Sequence, residues 1–377
     1  MEEWKEYRLR DIAVMKNGKK RPQSSGVYPV YGGNGIMDYS YSYNSENTII
    51  VGRVGAYCGC VYKCEGKCWV SDNAISVSAK DIVDTDFLYY LMTTLDFHHH
   101  HIGGAQPLMT QDIIGEFAVG IPSKTIQKKV VSILKSLDDK TEVNRRINDN
   151  LEQQAQALFK SWFVEFEPFK DQPFVDSELG MIPHGWSLTV LEELCSFISR
   201  GLTPKYDESS DELILGQTCV RNNIVTLDNA RKHKPKQRTE KWVQQWDTLI
   251  NSTGVGSLGR VGIVYFDMDN VAIDSHITVV RPKSALVRHY VGRNLLSRQL
   301  EIENMAIGST GQTELPKDRV KSMPIILPDD TTLTRFNAIV EPMAHQLYRN
   351  IEESRRLAEL RDTLLPRLMS GELEIKE

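Results

Sequence analysis

Two stretches of this chain carry apolar residues at intervals that alternate between three and four. The first seam runs Ile126, Val130, Ile133, Leu137, Lys140, Asn144, Ile147, Leu151, Gln154 and Leu158. The second runs Leu333, Phe336, Val340, Met343, Leu347, Asn350, Ser354, Leu357, Arg361, Leu364 and Leu368. Sustained three-four spacing marks a coiled-coil seam. Each stretch therefore predicts a helix of about 40 residues, a rod of roughly 60 Å at ~1.5 Å per residue. Pro366 is expected to kink the last turn of the second rod and Gly371 to stop it. A narrow seam cannot bury itself, so the two rods are expected to pack together; the alternative is that each covers its own domain. Under a pseudo-two-fold relation they run antiparallel, with one domain at each end.

Asn144 and Asn350 stand near the middle of the two seams. Either they meet at the axis, where a buried polar pair fixes helix register at some cost in stability, or both face solvent.

Ahead of each rod the pattern shortens to strands. Asn47–Val51, Asp247–Ile250, Val261–Phe266 and the alternating Ile75-Ser76-Val77 and Ile277-Thr278-Val279 are β-rich, with glycine turns between. Asp86 to about Phe97 and Val287 to about Met305 read as helices. The halves repeat one another. Ile121-Pro122-Ser123 is matched 206 positions later by Leu327-Pro328-Asp329, and the same offset pairs Gln106 with Gln312 and Asn144 with Asn350. Earlier in each half the offset is 202, pairing Asp72–Val77 with Asp274–Val279, and Trp4 and Trp186 stand near the two starts. The fold class is α+β: a mixed domain at 1–123, a long helix and connector at 124–172, a second mixed domain at 173–328, and a second long helix and tail at 329–377.

Composition narrows the function. Apolar and charged fractions of 41% and 25% are those of a globular protein, and no run approaches a membrane span. The acidic start, Met1–Glu6, lacks the apolar run of a signal peptide, so a cytoplasmic protein is expected. A net charge of −5 argues against nucleic acid only weakly, because phosphate affinity follows local patches. Six cysteines form no disulfide framework for a chain this long.

Candidate chemistry is sparse. Gly254-Val255-Gly256-Ser257-Leu258-Gly259 has dinucleotide-fingerprint spacing, but a strand-like segment follows where a helix is required, and Gly52-Arg53-Val54-Gly55 stands at the same point of the first half. Both are read as structural turns. Cys58, Cys60, Cys64 and Cys68 allow a zinc site if Glu65-Gly66-Lys67 is a hairpin tip, but lack the usual C-x2-C knuckle, so packed thiols are preferred and no metal is assigned. His98–His101 is read as a solvated helix end, and Tyr39, Tyr41 and Tyr43 as one packed face of a strand. No P-loop, amino-methyltransferase motif or nuclease constellation is recognised, so no catalytic residue is assigned. Basic loops are better candidates. Arg231, Lys232, Lys234, Lys236 and Arg238 form a run without an acid, Lys19, Lys20 and Arg21 a smaller counterpart, and Arg53 and Arg260 lie in the glycine turns. Such side chains suit phosphate contact, and Arg also reads guanine.

The arrangement resembles the DNA-specificity subunit of type I restriction-modification systems over essentially the full length. The segments that carry the likeness are Ile121-Pro122-Ser123, Lys135–Lys140, Asn144–Asn148, Gln156–Phe163, and the ending Arg361–Leu373. The resemblance implies two target-recognition domains reading the halves of a gapped DNA site about one helical turn (roughly 10 bp) apart. It implies long helices that set the spacing and dock two adenine-methylating subunits, with an endonuclease/translocase subunit completing the enzyme. S-adenosylmethionine, ATP and magnesium would belong to those partners, and none to this chain. The alternatives are a subunit of a methylation-only or other defence complex, an enzyme built on the Gly254 turn, and a coiled-coil scaffold without DNA contact.

Overall fold

The computed structural model describes residues 4–23, 25–103, 107–234, 236–308 and 313–373. The chain forms two compact units, residues 1–143 with 353–377, and residues 144–352. Gln106 and Gln312, one of the repeat pairs, lie outside the described residues.

In the first unit, β1 (Lys5–Arg8) and the single turn α1 (Leu9–Ile12) precede β2 (Ala13–Asn17), β3 (Tyr28–Gly32), β4 (Gly35–Ser40), β5 (Ser45–Gly52), β6 (Val61–Val70) and β7 (Ala74–Ala79). Then come α2 (Thr85–Thr93), α3 (Gln111–Glu116), β8 (Ala118–Ile121) and the first half of α4 (Lys124–Phe163). The sheet order is β2-β7-β5-β6-β3-β4, and β1 pairs antiparallel with β8. Asp84 caps α2 by accepting from the Asp86 and Phe87 amides. That helix lays Phe87, Leu88 and Leu91 on Ile49, Val51, Ile75 and Val77, joined by Val130 and Leu134 of α4 and by Leu368 and Met369. Gln127 is fully buried and fastens the start of α4: it accepts from the Asp84 amide at 2.7 Å and donates to the carbonyls of Ile82 and Pro122. Polar seam positions are paired. Asp138 accepts from Tyr90 at 2.6 Å and from Arg361 at 2.9 Å, and Lys140 meets Glu353 at 3.1 Å.

The second unit begins with the rest of α4. Short strands β9 (Phe174–Val175) and β10 (Ile182–Pro183) lead to β11 (Ser187–Val190), β12 (Cys195–Arg200), β13 (Leu213–Leu215), β14 (Val220–Arg221), β15 (Asn223–Val225) and β16 (Arg231–Lys232). Then follow β17 (Thr248–Asn251), β18 (Val261–Ile263), β19 (Val271–Ile273), β20 (Ile277–Pro282), α5 (Arg288–Ser297), α6 (Gln299–Asn304), α7 (Lys317–Lys321), β21 (Pro324–Leu327) and α8 (Asp330–Met369). Its main sheet has the order β12-β20-β17-β18-β15-β14, beside a small sheet β16-β13-β19. Two buried ion pairs brace it. Arg281 grips Asp247 at 2.8 and 2.7 Å, and Arg293 bonds both Glu152 of α4 and the Tyr265 hydroxyl. α4 and α8 are each assigned as helix without interruption over 40 residues, α8 running through Pro366; α8 ends at Met369, and Gly371 (φ 74°) follows.

The two large sheets match strand for strand except at the outer hairpin. There the inner strand comes first in the first unit (β3, then β4) and second in the other (β14, then β15). The hydrogen bonds also correct the repeat offset. Lys19 N donates to Val70 O as Leu202 N does to Ile273 O, and Ser71 Oγ accepts from Asn73 N as Asp274 Oδ1 does from His276 N. Position 71, not Asp72, thus corresponds to Asp274, an offset of 203. The shared Asp misled the alignment; what recurs is a side-chain oxygen closing the turn, which Ser and Asp both supply.

Three further expectations are corrected. Glu65-Gly66-Lys67 is a bulge inside β6, not a hairpin tip: Gly66 (φ 79°) donates to Oδ1 of Asn47 opposite at 2.7 Å. Tyr39 lies in β4, but that strand ends at Ser40, and Tyr39, Tyr41 and Tyr43 form no single packed face: all three are exposed, although Tyr43 meets the Tyr28 ring edge-on at 5.3 Å. The strand from Val261 stops at Ile263, beside the point where Trp246 (φ 74°) breaks the extended backbone that pairs with it.

Candidate nucleic-acid interface

The candidate basic residues gather at one end of each sheet because of how the strands leave it. In the first unit β2 ends at Asn17 and the chain passes through Gly18, whose amide donates to Ala74 O at 3.0 Å. A Cβ at Gly18 would sit 1.9 Å from Ser71 O, so the backbone is seated directly on the turn before β7. Lys19 bridges Ser71, and Arg53, following β5, donates to Asp72 O at 3.3 Å from the other side. Lys19 and Arg53 therefore flank one turn. Lys19 and Lys20 are exposed, whereas Arg21 is ion-paired with Asp38.

The second unit repeats this plan with a heavier loop. Gly201 follows β12, donates to Ile277 O at 3.1 Å and would clash at 2.1 Å with Ile273 O if it carried a Cβ. The basic run folds back onto the segment after Gly201. Lys234 N donates to Lys205 O at 2.8 Å, Lys236 Nζ to Thr203 O at 3.2 Å and Lys232 Nζ to Glu208 O at 3.0 Å. The Arg231 guanidinium lies 3.4 Å from the centre of the Tyr206 ring. Lys234 projects into solvent, while Arg238 meets Asp269 at 3.1 Å. His233 is buried within the run, and burial, ahead of nearby Lys236, holds its pKa below the usual histidine value.

The turn at Gly254, Gly256 and Gly259 (φ 94°, 72° and 82°) passes straight into β18, and Arg260 braces it by donating to Gly256 O at 2.8 Å. A strand, not a helix N-terminus, follows these glycines, which leaves the dinucleotide fingerprint without its phosphate-binding element. Beside this turn lies a surface cleft of about 500 Å³ lined by Arg221, Asn222, Asn223, Arg260, Val261 and Gln299. Sequence reading passed over Arg221, Asn222, Asn223 and Gln299. The available signal was Asn-Asn between Val220-Arg221 and Ile224-Val225, a two-residue turn between short strands.

The other candidates fall elsewhere. Asn144 and Asn350 are 0% and 3% exposed, and Asn144 Nδ2 donates to Asn350 O at 3.5 Å, both within the second unit. All six cysteines are free thiols. Cys64 and Cys68 are buried, and Cys64 Sγ donates to the carbonyls of Glu65 and Gly66 at 3.7 and 3.5 Å; interaction between the two thiols lowers the pKa of Cys64 and, with burial, raises that of Cys68. His98, His99 and His100 bond Cys58 O, the Asp96 carboxylate and Asp96 O. Among the described residues no three His, Cys, Asp or Glu side chains converge as a metal site. No helix among them is long and apolar enough to cross a membrane.

Residues 1–153 match the family model described as "Type I restriction modification DNA specificity domain". The type I restriction enzyme MjaIX specificity subunit of Methanocaldococcus jannaschii is 28% identical over 320 residues, covering 80% of this chain and 72% of that protein. Over most of its length the chain is thus similar to type I restriction-modification specificity subunits. A second relative, the HindI specificity subunit of Haemophilus influenzae, is 25% identical over 336 residues, covering 72% of each. The crystal structure of a type I restriction-modification S subunit from M. genitalium shares the fold, with a TM-score of 0.56 and 17% identity over 100% of this chain and 97% of that one.

Proposed function

We propose that this chain is the non-catalytic, DNA-reading subunit of a type I restriction-modification complex and recognises a gapped, two-part site. The observation that carries the reading is the pair of matching sheets, each presenting Lys and Arg at the end marked by Gly18 or Gly201, on loops that differ. A shared scaffold with unlike loops suits two half-sites of different sequence, residues 1–123 reading one and 173–328 the other. α4 and α8 then serve as an antiparallel coiled coil, with Asn144 and Asn350 fixing its register, that sets the gap and docks two methyltransferase subunits. An endonuclease/translocase subunit completes the complex, and S-adenosylmethionine, ATP and magnesium act on those partners.

The test is to sequence methylated adenines made by the assembled complex. Exchanging residues 1–123 for the corresponding part of another family member is expected to change one half of the methylated site. A change in both halves, or none, overturns the modular reading. Adding one helical turn to both long helices is expected to alter the gap alone.

A further inference from the structure

We propose that the Asn222–Asn223 hairpin tip, with Arg221 and Arg260 beside it, reads base edges in the half-site bound by the second unit. This rests on the DNA-reading function proposed above and adds which side chains choose bases there.

The tip is built to hold its side chains still. Pairing of Arg221 with Ile224 leaves a two-residue loop, and Asn222 and Asn223 both have positive φ (51° and 67°), the signature of a type I′ turn that matches strand twist. Asn tolerates this region better than other side chains with a Cβ. Among the described residues, the side chains of Arg221, Asn222 and Asn223 make no hydrogen bond or ion pair. Arg200, Arg281, Arg293 and Arg298 of the same unit are each bonded to carboxylates. The free groups face a cleft that Arg260 and Gln299 also line, with no acid lining it among the described residues.

The chemistry favours bases over phosphates. Arg221 and Arg260 can each hold a phosphate, and neutral amides can donate to one, but Asn222 and Asn223 add no charge to strengthen such a contact. Base edges need paired donors and acceptors in a plane: Asn and Gln match adenine, and Arg matches guanine. A two-stranded ribbon also fits the major groove, which is ~12 Å wide. The hairpin lies in the part of the sheet whose strand order differs between the units, where a difference in base choice is structurally easiest.

The test uses the full chain assembled with its methylating partner subunits and a DNA duplex library randomised over both half-sites. Three proteins are compared: wild type, Asn222→Gly with Asn223→Gly, and Arg221→Gln. Glycine keeps the left-handed turn while removing the amides. The expected result is a roughly ten-fold loss of preference at one or two positions of one half-site, with the other half-site and the thermal midpoint unchanged. Preferences identical to wild type overturn the inference alone. A uniform loss across all sequences also overturns it, assigning the residues to phosphate contact. A wild-type complex that selects no sequence overturns the DNA-reading function, and this inference with it.

Discussion

The side-chain amide of Asn350 donates to Oδ1 of Asn148 at 2.8 Å, while the Asn350 carbonyl accepts from Asn144. These amides sit in a contact otherwise made by residues such as Leu151, Leu347 and Ile351. Asn350→Leu should destabilise the second unit by about 1–3 kcal/mol, because it strips a partner from a buried amide. Replacing Asn144, Asn148 and Asn350 together by Leu should recover part of that loss, since only the half-buried Gln346 amide, which donates to Asn350 Oδ1 at 2.7 Å, then lacks its partner. Urea denaturation of the three proteins checks it; equal stability of wild type and Asn350→Leu refutes it.

A second prediction concerns the link between α4 and the second sheet. Arg293, 2% exposed, bonds Glu152 and the Tyr265 hydroxyl. Glu152→Gln leaves a buried guanidinium without its counter-charge and should cost roughly 3–5 kcal/mol. Glu152→Leu with Arg293→Met should cost clearly less, as measured by thermal unfolding.

Stability should also depend on pH. Burial, aided by Arg288, Arg293 and His345, pushes the His289 pKa down from 6.5 to about 3. A depressed folded-state value means that the unfolded chain takes up the proton first. The stabilising contribution is therefore complete above pH 6.5 and is lost as pH falls below it, by about 1.4 kcal/mol per pH unit. His233 shifts in the same direction. Urea midpoints at pH 7.5 and 5 should differ less in His289→Gln than in wild type; an equal difference would exclude His289 as a source.

Replacing Arg231, Lys232 and Lys234 together by alanine should weaken DNA binding and flatten its salt dependence, by about 0.9 in log-log slope for each phosphate that is no longer neutralised. Titration at several salt concentrations gives the slope. An unchanged slope would remove this loop from the interface.

Much of this architecture was legible because hydrophobic periodicity reports burial directly. The three-four seams gave α4 and α8, and runs such as Ile49-Ile50-Val51 gave central strands. Non-local pairing was less visible. Nothing in the local pattern around Gly66 distinguishes a bulge from a hairpin, because the deciding bond comes from Asn47 across the sheet. The basic residues could be counted, but the neutralisation of Arg21 by Asp38 and of Arg238 by Asp269 depends on partners far along the chain. The cleft at Asn222 was missed because composition highlights charge, whereas the tip is defined by backbone conformation.

Gly18 and Gly201 each press bare backbone against a neighbouring carbonyl at a distance no side chain survives. Each pins the point from which a loop departs, and the two loops differ in length and charge. Mutation downstream can rewrite what is displayed, in length, charge or shape, while the place of departure stays put. One framework thus carries two unlike surfaces in a single chain without having to solve the folding problem twice.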